Sequence, residues 1–486
     1  MKYYFLNLFI LLSFVLRSQS LSFDYVFSQS KKDISEYALE TPDSNFLIVT
    51  NQWTSGPRRS FILKLNKRGA LVKTLILEND SINGYIKRLI PTSYGFLGIG
   101  SQVSTGRYYL WLFKIDKQLN IISQTVHKVP NVLQELVVDT DRDSNVIIGG
   151  SISYKNYIFP YHLFGAKVNK NGDLDYLKYQ YPDTTGSQSN TYTGFFDWML
   201  TMKDSARHVF FDGFSMMSVD SNFNAVHKIN MPYINNFHYG VYSTALRLTD
   251  NTYYVAGKGQ LGDRYTPYVS TVTLDGRYSN FKTLGVSDTF IQMATQRCLD
   301  TTKNGDIYVG STFNFPIRCQ NPPLCNDTAY FVLHKIDKRL NILWQKRYGK
   351  DGQFVMFGLL ATSDGGCLMY GYRYLHVIDK KLEAYIIKVD GNGLVTSETA
   401  IPITQESITA FPNPSTGQLN FKKETPSVSS RFELTVFDIS GKLVFQKKET
   451  DLSETVDLSH LSTGNYIYQI KEGERIKAIG KWVKTQ

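Results

Sequence analysis

A two-part sequence pattern (the phrase) recurs seven times along this chain of 486 residues and restricts the folds that the chain can adopt. The first part is a polar turn followed by an apolar strand that ends in small residues, as in DSNVIIGG from Asp143. The second part is an alternating strand, a tight turn rich in Asn, Asp, Lys or Gly, and a further strand. Its copies begin at Phe61, Leu112, Gly165, Met217, Thr271, Leu333 and Tyr385. Each phrase therefore predicts consecutive antiparallel strands.

Adding the strand that precedes each phrase gives four strands per unit. Seven such units predict an all-β fold, a seven-bladed β-propeller over residues 21–402, because a blade buries both faces only against neighbours. The 32 Tyr and 30 Phe residues agree with a β-rich chain. A solenoid is the alternative, but neither end shows a polar capping unit. We expect the segment LSFDYVFSQ from Leu21 to close the ring on blade seven.

The sixth unit carries the fullest version of the phrase, HKIDKRLNILWQKRYG from His334 to Gly349. This wording resembles a family of secreted bacterial β-propeller repeats, and the resemblance covers roughly residues 35–400. The resemblance implies the fold and says little about activity, because such propellers host many functions.

The first twenty residues predict a signal peptide. They combine Lys2, an apolar run from Tyr3 to Leu16, and Ser18 and Ser20 at the small-residue positions of a cleavage site. The apolar run is too short to span a bilayer comfortably. The sequence therefore predicts a protein exported through the periplasm to the cell surface or the medium.

The blade pattern ends after Ile401, and the last part of the chain reads as separate hairpins. We predict a small immunoglobulin-like β-sandwich over residues 403–486. Three motifs punctuate it in order: FPNPSTG at 411–417, VFDISGKLV at 436–444 and LSTGNYIYQI at 461–470, before a basic strand that ends at Lys484. A generic accessory sandwich is the alternative interpretation.

The three motifs resemble the type A C-terminal sorting domain of the type IX secretion system. The matched positions are Pro412, Asn413, Pro414, Gly417, Asp438, Gly441, Leu461, Gly464 and Tyr466. The resemblance implies recognition by an outer-membrane translocon and removal by a sortase-like cysteine protease, for which the connector 402–410 is the window. It also implies release of the propeller or its attachment to an anionic lipopolysaccharide. The domain itself catalyses nothing.

No motif in the propeller predicts catalysis, a metal or a cofactor. DTDRDSN at 139–145 has the alternating acids of a calcium loop but lacks its glycine and its final acid, so a hairpin turn is favoured. The histidines lack metal-ligand spacing, and no nucleophile motif such as G-x-S-x-G is present. The net charge of +10 is spread without a dense Lys/Arg block, which disfavours nucleic acid as a partner.

The four cysteines give no C-x-x-C pair and so no zinc site. Cys319 and Cys325 enclose a short polar, proline-containing loop, for which we predict a local disulfide. Cys298 and Cys367 lie in apolar strand-like runs and are interpreted as buried thiols.

Two classes of function stay open, a binding or adhesion module for glycan or protein and an extracellular hydrolase or lyase. The absence of a catalytic motif favours the binding module. Long connections are predicted on one propeller face and short turns on the other, and loops on a rigid scaffold carry function. Aromatic residues of the long connections form the candidate ligand face: Tyr154, Tyr157, Phe159, Tyr192, Phe195 and Trp198. Alternatively, some of these rings pack beneath the loops.

Overall fold

A computed structural model of the chain describes residues 22–29, 32–53, 59–77, 83–104, 107–129, 132–153, 161–179, 196–202, 207–212, 215–230, 237–239, 244–249, 251–261, 264–285, 291–293, 297–314, 328–349, 352–375, 381–395, 408–423, 432–438, 442–450, 454–472 and 475–485. The chain forms two compact units that divide between Ser397 and Glu398.

The described residues of the first unit form seven antiparallel sheets, which are the blades. Strand β1 (Phe23–Phe27) precedes blade one. Blade one contains β2 (Asp33–Glu40), β3 (Phe46–Gln52), β4 (Ser60–Leu65) and β5 (Leu71–Leu77). Blade two contains β6 (Asn83–Pro91), β7 (Gly95–Ser104), β8 (Arg107–Asp116) and β9 (Ile121–Val129). Blade three contains β10 (Val132–Thr140), β11 (Val146–Ser153), β12 (Tyr161–Val168) and β13 (Leu174–Tyr179).

The remaining blades follow the same order, innermost strand first. Blade four contains β14 (Phe196–Thr201), β15 (Arg207–Asp212), β16 (Ser215–Asp220) and β17 (Ala225–Asn230). Blade five contains β18 (Phe237–Tyr239) and β19 (Thr244–Arg247), which both pair with β20 (Thr252–Leu261), then β21 (Arg264–Thr273) and β22 (Tyr278–Thr283). Blade six contains β23 (Ile291–Met293) and β24 (Leu299–Thr301) beside β25 (Ile307–Phe313), then β26 (Tyr330–Ile336) and β27 (Ile342–Tyr348). Blade seven contains β28 (Gln353–Ala361), β29 (Cys367–Tyr374) and β30 (Leu382–Val389).

The N-terminal strand closes the ring. Strand β1 pairs antiparallel with β30, so that Phe23 lies opposite Lys388 and Phe27 opposite Ala384. The Glu40 carboxylate of blade one accepts hydrogen bonds from the Ser363 N–H (2.7 Å) and hydroxyl (2.5 Å) of blade seven. Innermost strands of blades one and seven also contact each other. The predicted seven-bladed propeller and its closure by the segment from Leu21 are confirmed.

Burial changes from the inside of a blade to its outside. Every residue of β3 is buried, whereas most of β5 is exposed or half-buried. The inner strands are apolar on both faces because neighbouring blades cover both, as where Ile62 of blade one packs with Trp111 and Phe113 of blade two. The repeated apolar strand therefore encodes the contacts between blades.

Side-chain capping explains the turn in the second part of the phrase. The Asp337 carboxylate accepts hydrogen bonds from the N–H groups of Arg339 and Asn341, both at 2.8 Å, and from the Asn341 side chain at 2.9 Å. Leu340 adopts a φ of 64° and is only 2% exposed. The turns from Asp116 and Asp220 repeat the arrangement.

An ion pair joins the two parts of the phrase within several blades. The lysine before the second turn reaches the acid of the first turn, with Nζ–Oδ2 distances of 2.6 Å for Lys388–Asp364 and 3.2 Å for Lys335–Asp306. Lys167–Asp141 and Lys64–Asp43 repeat the pairing at 3.5 and 3.6 Å.

The second unit is a β-sandwich of two antiparallel sheets. One sheet contains β31 (Ile408–Phe411), β32 (Gln418–Lys423) and β35 (Val456–Asp457). The other contains β33 (Phe432–Asp438), β34 (Leu443–Thr450), β36 (Gly464–Glu472) and β37 (Arg475–Lys484). Both sheets contribute to one apolar core, with Leu419, Val436 and Trp482 all fully buried. The predicted C-terminal sandwich is confirmed.

Candidate ligand cavity and C-terminal domain

Most residues of the candidate ligand face lie outside the described part of the chain. This holds for Tyr154, Tyr157, Phe159, Tyr192 and Phe195, and for Cys319 and Cys325 of the predicted disulfide. Trp198 is described, and it lies in β14, the innermost strand of blade four, rather than in a connection. Its role in ligand stacking stays a prediction.

The side chain of Trp198 belongs to a cluster near the propeller axis. Arg88 of blade two lies with its guanidinium carbon 6.0 Å from the Trp198 ring centroid and 5.2 Å from that of Tyr37 in blade one. Nearby, Arg297 pairs with Asp300 at 2.8 Å. Burial acts to lower the pKa of the Arg297 guanidinium, but Asp300, Tyr37 and Tyr370 together raise it. Polar and aromatic side chains thus fill the inner ends of these blades.

Cys298 and Cys367 are buried thiols, as the sequence predicts. Burial raises the pKa of the Cys367 thiol well above its usual range. A buried thiol of raised pKa is a poor nucleophile, so Cys367 is not a candidate for catalysis. The Cys298 sulfur lies 3.2 Å from the Thr244 hydroxyl.

A cavity of about 520 Å³ opens where the innermost strands of blades three, four and five end. These strands lead into the short turns between the first and second strands of their blades, so the cavity lies on the short-turn face. Its lining residues come from the three blades: Thr140, Asp141, Arg142, Thr201, Met202 and Arg247. Its size suits a small ligand or one end of a larger one.

Backbone and charge contacts fix the floor of the cavity. The Asp139 carboxylate accepts a hydrogen bond from the Thr201 N–H at 2.6 Å, and Arg247 donates from Nη2 to the Thr201 carbonyl. Burial raises the pKa of Asp139, while the hydrogen bonds and Arg247 oppose that rise. Asp300 accepts from the Ala361 N–H (2.9 Å) in the same way between blades six and seven. Asp139 therefore joins neighbouring blades and is an unsuitable catalytic group.

The Asp141 carboxylate caps its own turn. It accepts hydrogen bonds from the N–H groups of Asp143 (2.9 Å) and Asn145 (2.8 Å) and from the Asn145 side chain (2.9 Å), with Lys167 at 3.5 Å. These contacts lower the pKa of Asp141 even though burial acts to raise it. DTDRDSN thus forms a hairpin turn capped by Asp141. Across the described ranges, no three His, Cys, Asp or Glu side chains converge as metal ligands would.

Two of the sorting motifs and the final strand meet at one end of the C-terminal sandwich. Asn413 donates from its side chain to the Lys481 carbonyl (2.6 Å) and accepts from the Val483 N–H (2.9 Å). The Trp482 indole donates to the Ser415 hydroxyl at 2.9 Å. Pro412 and Pro414, which flank Asn413, are exposed. The FPNPSTG motif is thereby held against the final strand.

The last motif is held at the same end. Lys484 donates from Nζ to the carbonyls of Ser459 (2.9 Å) and Leu461 (2.6 Å), and it is only 8% exposed. Gly417 has a φ of 128°, and a β-carbon there would lie 2.5 Å from the Ser459 α-carbon, so a side chain does not fit. The Tyr466 hydroxyl donates to the Ser462 carbonyl at 2.6 Å.

The remaining matched positions are distributed differently. Gly464 begins β36. Asp438 caps the middle hairpin by accepting from the Lys442 N–H at 3.0 Å. Gly441 lies outside the described residues. The middle motif lies where β33 leads into β34, and β33 pairs with β36, so that Asp438 lies opposite Tyr466 of the last motif.

Residues 409–485 match the family described as the secretion system C-terminal sorting domain. No curated protein matches the chain. Among the described residues, none forms a helix of the length and apolar character that crossing a membrane requires.

Solved structures similar to this chain include two WD40 domains and one further protein. The WD40 domain of Pan2 from Neurospora crassa has a TM-score of 0.42 at 11% identity, covering 74% of this chain and 97% of its own. The WD40 domain of SCAP from fission yeast gives 0.37 at 8% identity, covering 76% and 95%. Sqt1 from Chaetomium thermophilum gives 0.40 at 10% identity, covering 74% and 85%. These scores are low, and the propeller assignment rests on the sheet topology.

The C-terminal match and the ring of blades together identify the two domains of this chain. The tail indicates sorting by the type IX secretion system and hence export out of the cell. The seven sheets and their closure by β1 define the unit that precedes it. The chain is a β-propeller-repeat protein that carries a type IX secretion C-terminal sorting domain.

Proposed function

We propose that this protein is an exported binding module whose propeller holds a glycan or protein ligand at the cell surface or in the medium. The observation that carries the proposal is the order of the two units: the propeller is followed by a domain that matches the sorting-domain family. A rigid ring of blades positions its turns and loops for recognition. An extracellular hydrolase or lyase is the alternative, for which the sequence shows no catalytic motif.

The proposed route begins with a signal peptide at residues 1–20 and folding of the propeller, residues 21–402, in the periplasm. The sorting domain, residues 403–486, then engages the type IX translocon. A sortase-like protease cuts within 402–410 and releases the propeller or joins it to an anionic lipopolysaccharide. The match to residues 409–485 supports the translocon step.

Deletion of residues 403–486 tests the route. Because the sandwich has its own core, we expect the truncated propeller to fold and to accumulate in the periplasm. Cell fractionation and thermal unfolding of the recovered protein measure both outcomes. The full-length chain is the control for export, and a truncated protein found at the cell surface at normal levels would contradict the sorting role.

For the ligand, we propose the long-connection face over blades three, four and six. Replacement of Tyr157, Tyr192 and Trp198 by Ala should weaken any ligand found on glycan and peptide arrays at least tenfold, since aromatic faces supply the stacking area. Because Trp198 lies in β14, a variant with only Tyr157 and Tyr192 replaced separates lost stacking from lost stability. Unchanged binding in both variants would reject this face.

A further inference from the structure

Arg247 brings hydrogen-bond donors to the cavity on the short-turn face. Arg247 is half-buried, and its contact with the Thr201 carbonyl is the only hydrogen bond made by its side chain within the described residues. A guanidinium group carries five N–H donors in a fixed fork. Among the described residues the other donors of Arg247 have no hydrogen-bond partner, so they can serve a group that enters the cavity.

The acids beside the cavity are already engaged. Asp141 is held by its own turn and by Lys167, and Asp139 by the Thr201 N–H. Arg142 lines the opening with Arg247 and is exposed. The oxygens of both carboxylates are therefore occupied, whereas Arg247 keeps donors with which it can bind an anion that enters the cavity.

The geometry of the Arg247 guanidinium group favours one kind of anion. A carboxylate matches the planar fork of a guanidinium through two parallel hydrogen bonds. The exposed Thr140 adds a hydroxyl at the rim, and Met202 adds apolar surface that methylene groups can contact. No aromatic ring is among the lining residues, so the platform on which a sugar ring would stack is missing from the described cavity.

From these contacts we infer that the cavity between blades three, four and five is a second binding site, which takes the carboxylate of an acidic peptide segment on Arg247. This inference rests on the proposed binding function and adds a ligand class and a place on the propeller. Arg247 and Thr201 belong to different blades, so the site exists only when the ring is assembled.

The test uses the full chain and three probes: acetylated, amidated triglutamate, the matching triglutamine, and trigalacturonate. Calorimetry should show triglutamate binding at least tenfold more tightly than triglutamine, with affinity falling as salt rises. Arg247→Gln should weaken triglutamate binding at least tenfold. Arg277→Gln is the matched control, since the Arg277 side chain is 85% exposed on a turn of blade five, and it should change nothing.

A second variant covers the chance that Arg247→Gln loosens the blades. Thr140→Glu adds a negative charge at the exposed rim and leaves the Arg247 contact in place, so it should abolish triglutamate binding without changing the melting temperature. Absence of triglutamate binding, equal binding to Arg247→Gln, or preference for trigalacturonate would each overturn the inference. Array ligands that bind independently of Arg247 would leave the proposed function standing, whereas an array without any ligand would reject that function itself.

Discussion

His334 lies buried in β26 of blade six, with 1% of its surface exposed. Burial lowers its pKa to about 4, because the charged imidazolium loses its hydration. In the unfolded chain the same ring has a pKa of about 6.5. Folded and unfolded states therefore differ in bound protons between those two values.

We expect the free energy of unfolding to decrease as the pH falls from about 6.5 to about 4, by about 3 kcal/mol in total. Above a pH of about 6.5 the ring is neutral in both states and does not lower the stability. Below that pH the unfolded state binds a proton that the folded state does not, which favours unfolding. Urea unfolding at a series of pH values measures the slope. In His334→Gln that part of the slope should disappear, and a variant that keeps the wild-type slope would exclude His334 as its source.

Leu340 shows a conflict between backbone and core at a single position. Its φ of 64° is unfavourable for a leucine, yet the side chain is buried. We expect Leu340→Gly to relieve about 1 kcal/mol of backbone strain but to lose more through the cavity, for a net destabilisation of about 2 kcal/mol. Gly365→Ala is the control for the backbone alone, because Gly365 has a φ of 84° and open space around its β-position. A stabilised Leu340→Gly variant would show that the strain dominates.

Of the lysines in the ion pairs that link the two parts of a blade, Lys388 of blade seven is the most buried. Lys388 is 2% exposed and lies 2.6 Å from Asp364. We expect Asp364→Asn to destabilise the propeller by about 3 kcal/mol, since it leaves a buried ammonium group without its counter-charge. Asp43→Asn should cost less than about 1 kcal/mol, because the Asp43 side chain is 59% exposed and 3.6 Å from Lys64. Equal effects of the two substitutions in urea unfolding would contradict the role of burial.

The strands and turns of the propeller could be predicted because their causes are local. The capping of Asp337 by residues two and four positions onward, and the apolar run of β3, both depend on neighbours in sequence. The repetition of the four-strand unit then predicts the architecture, since seven similar sheets can bury their faces in a ring.

The cavity could not be predicted from the same patterns. Thr201 contacts Asp139, 62 positions away, and Arg247, 46 positions away. Thr201 and Arg247 end innermost strands, and Asp139 lies one residue before the end of another. The phrase has no distinctive sequence at these positions. Their proximity follows from the curvature of the ring, which a single sequence does not display. The candidate ligand face is predicted from the long connections instead, and five of its six residues lie outside the described ranges.

The ring as a whole depends on the contacts of β1 with blade one. Phe27 packs 4.9 Å from the Phe61 ring, and Phe23 packs 5.9 Å from the Phe46 ring. We expect the Phe23→Ala, Phe27→Ala double variant to lose more than about 3 kcal/mol of stability, given the cost of removing buried phenyl groups. Hydrogen exchange should show faster exchange in β1 and β30 first, because they form the closing pair.

A matched control for this experiment is Asp24→Ala, since Asp24 lies in the same strand and is exposed. It should leave exchange in β30 unchanged. If the double variant exchanged no faster in β30 than Asp24→Ala does, closure of the ring would not depend on these two phenyl groups.

Closure by β1 also sets an order of events during synthesis. The partner of β1 is β30, which ends at Val389, and the sorting domain begins its first described strand only at Ile408. A ribosome therefore completes the last strand that the ring requires before it makes the export domain. Chains that terminate before β30 lack the closing partner and the sorting domain alike. On the proposed route, the order of segments in the gene thus confines export to chains that contain every blade.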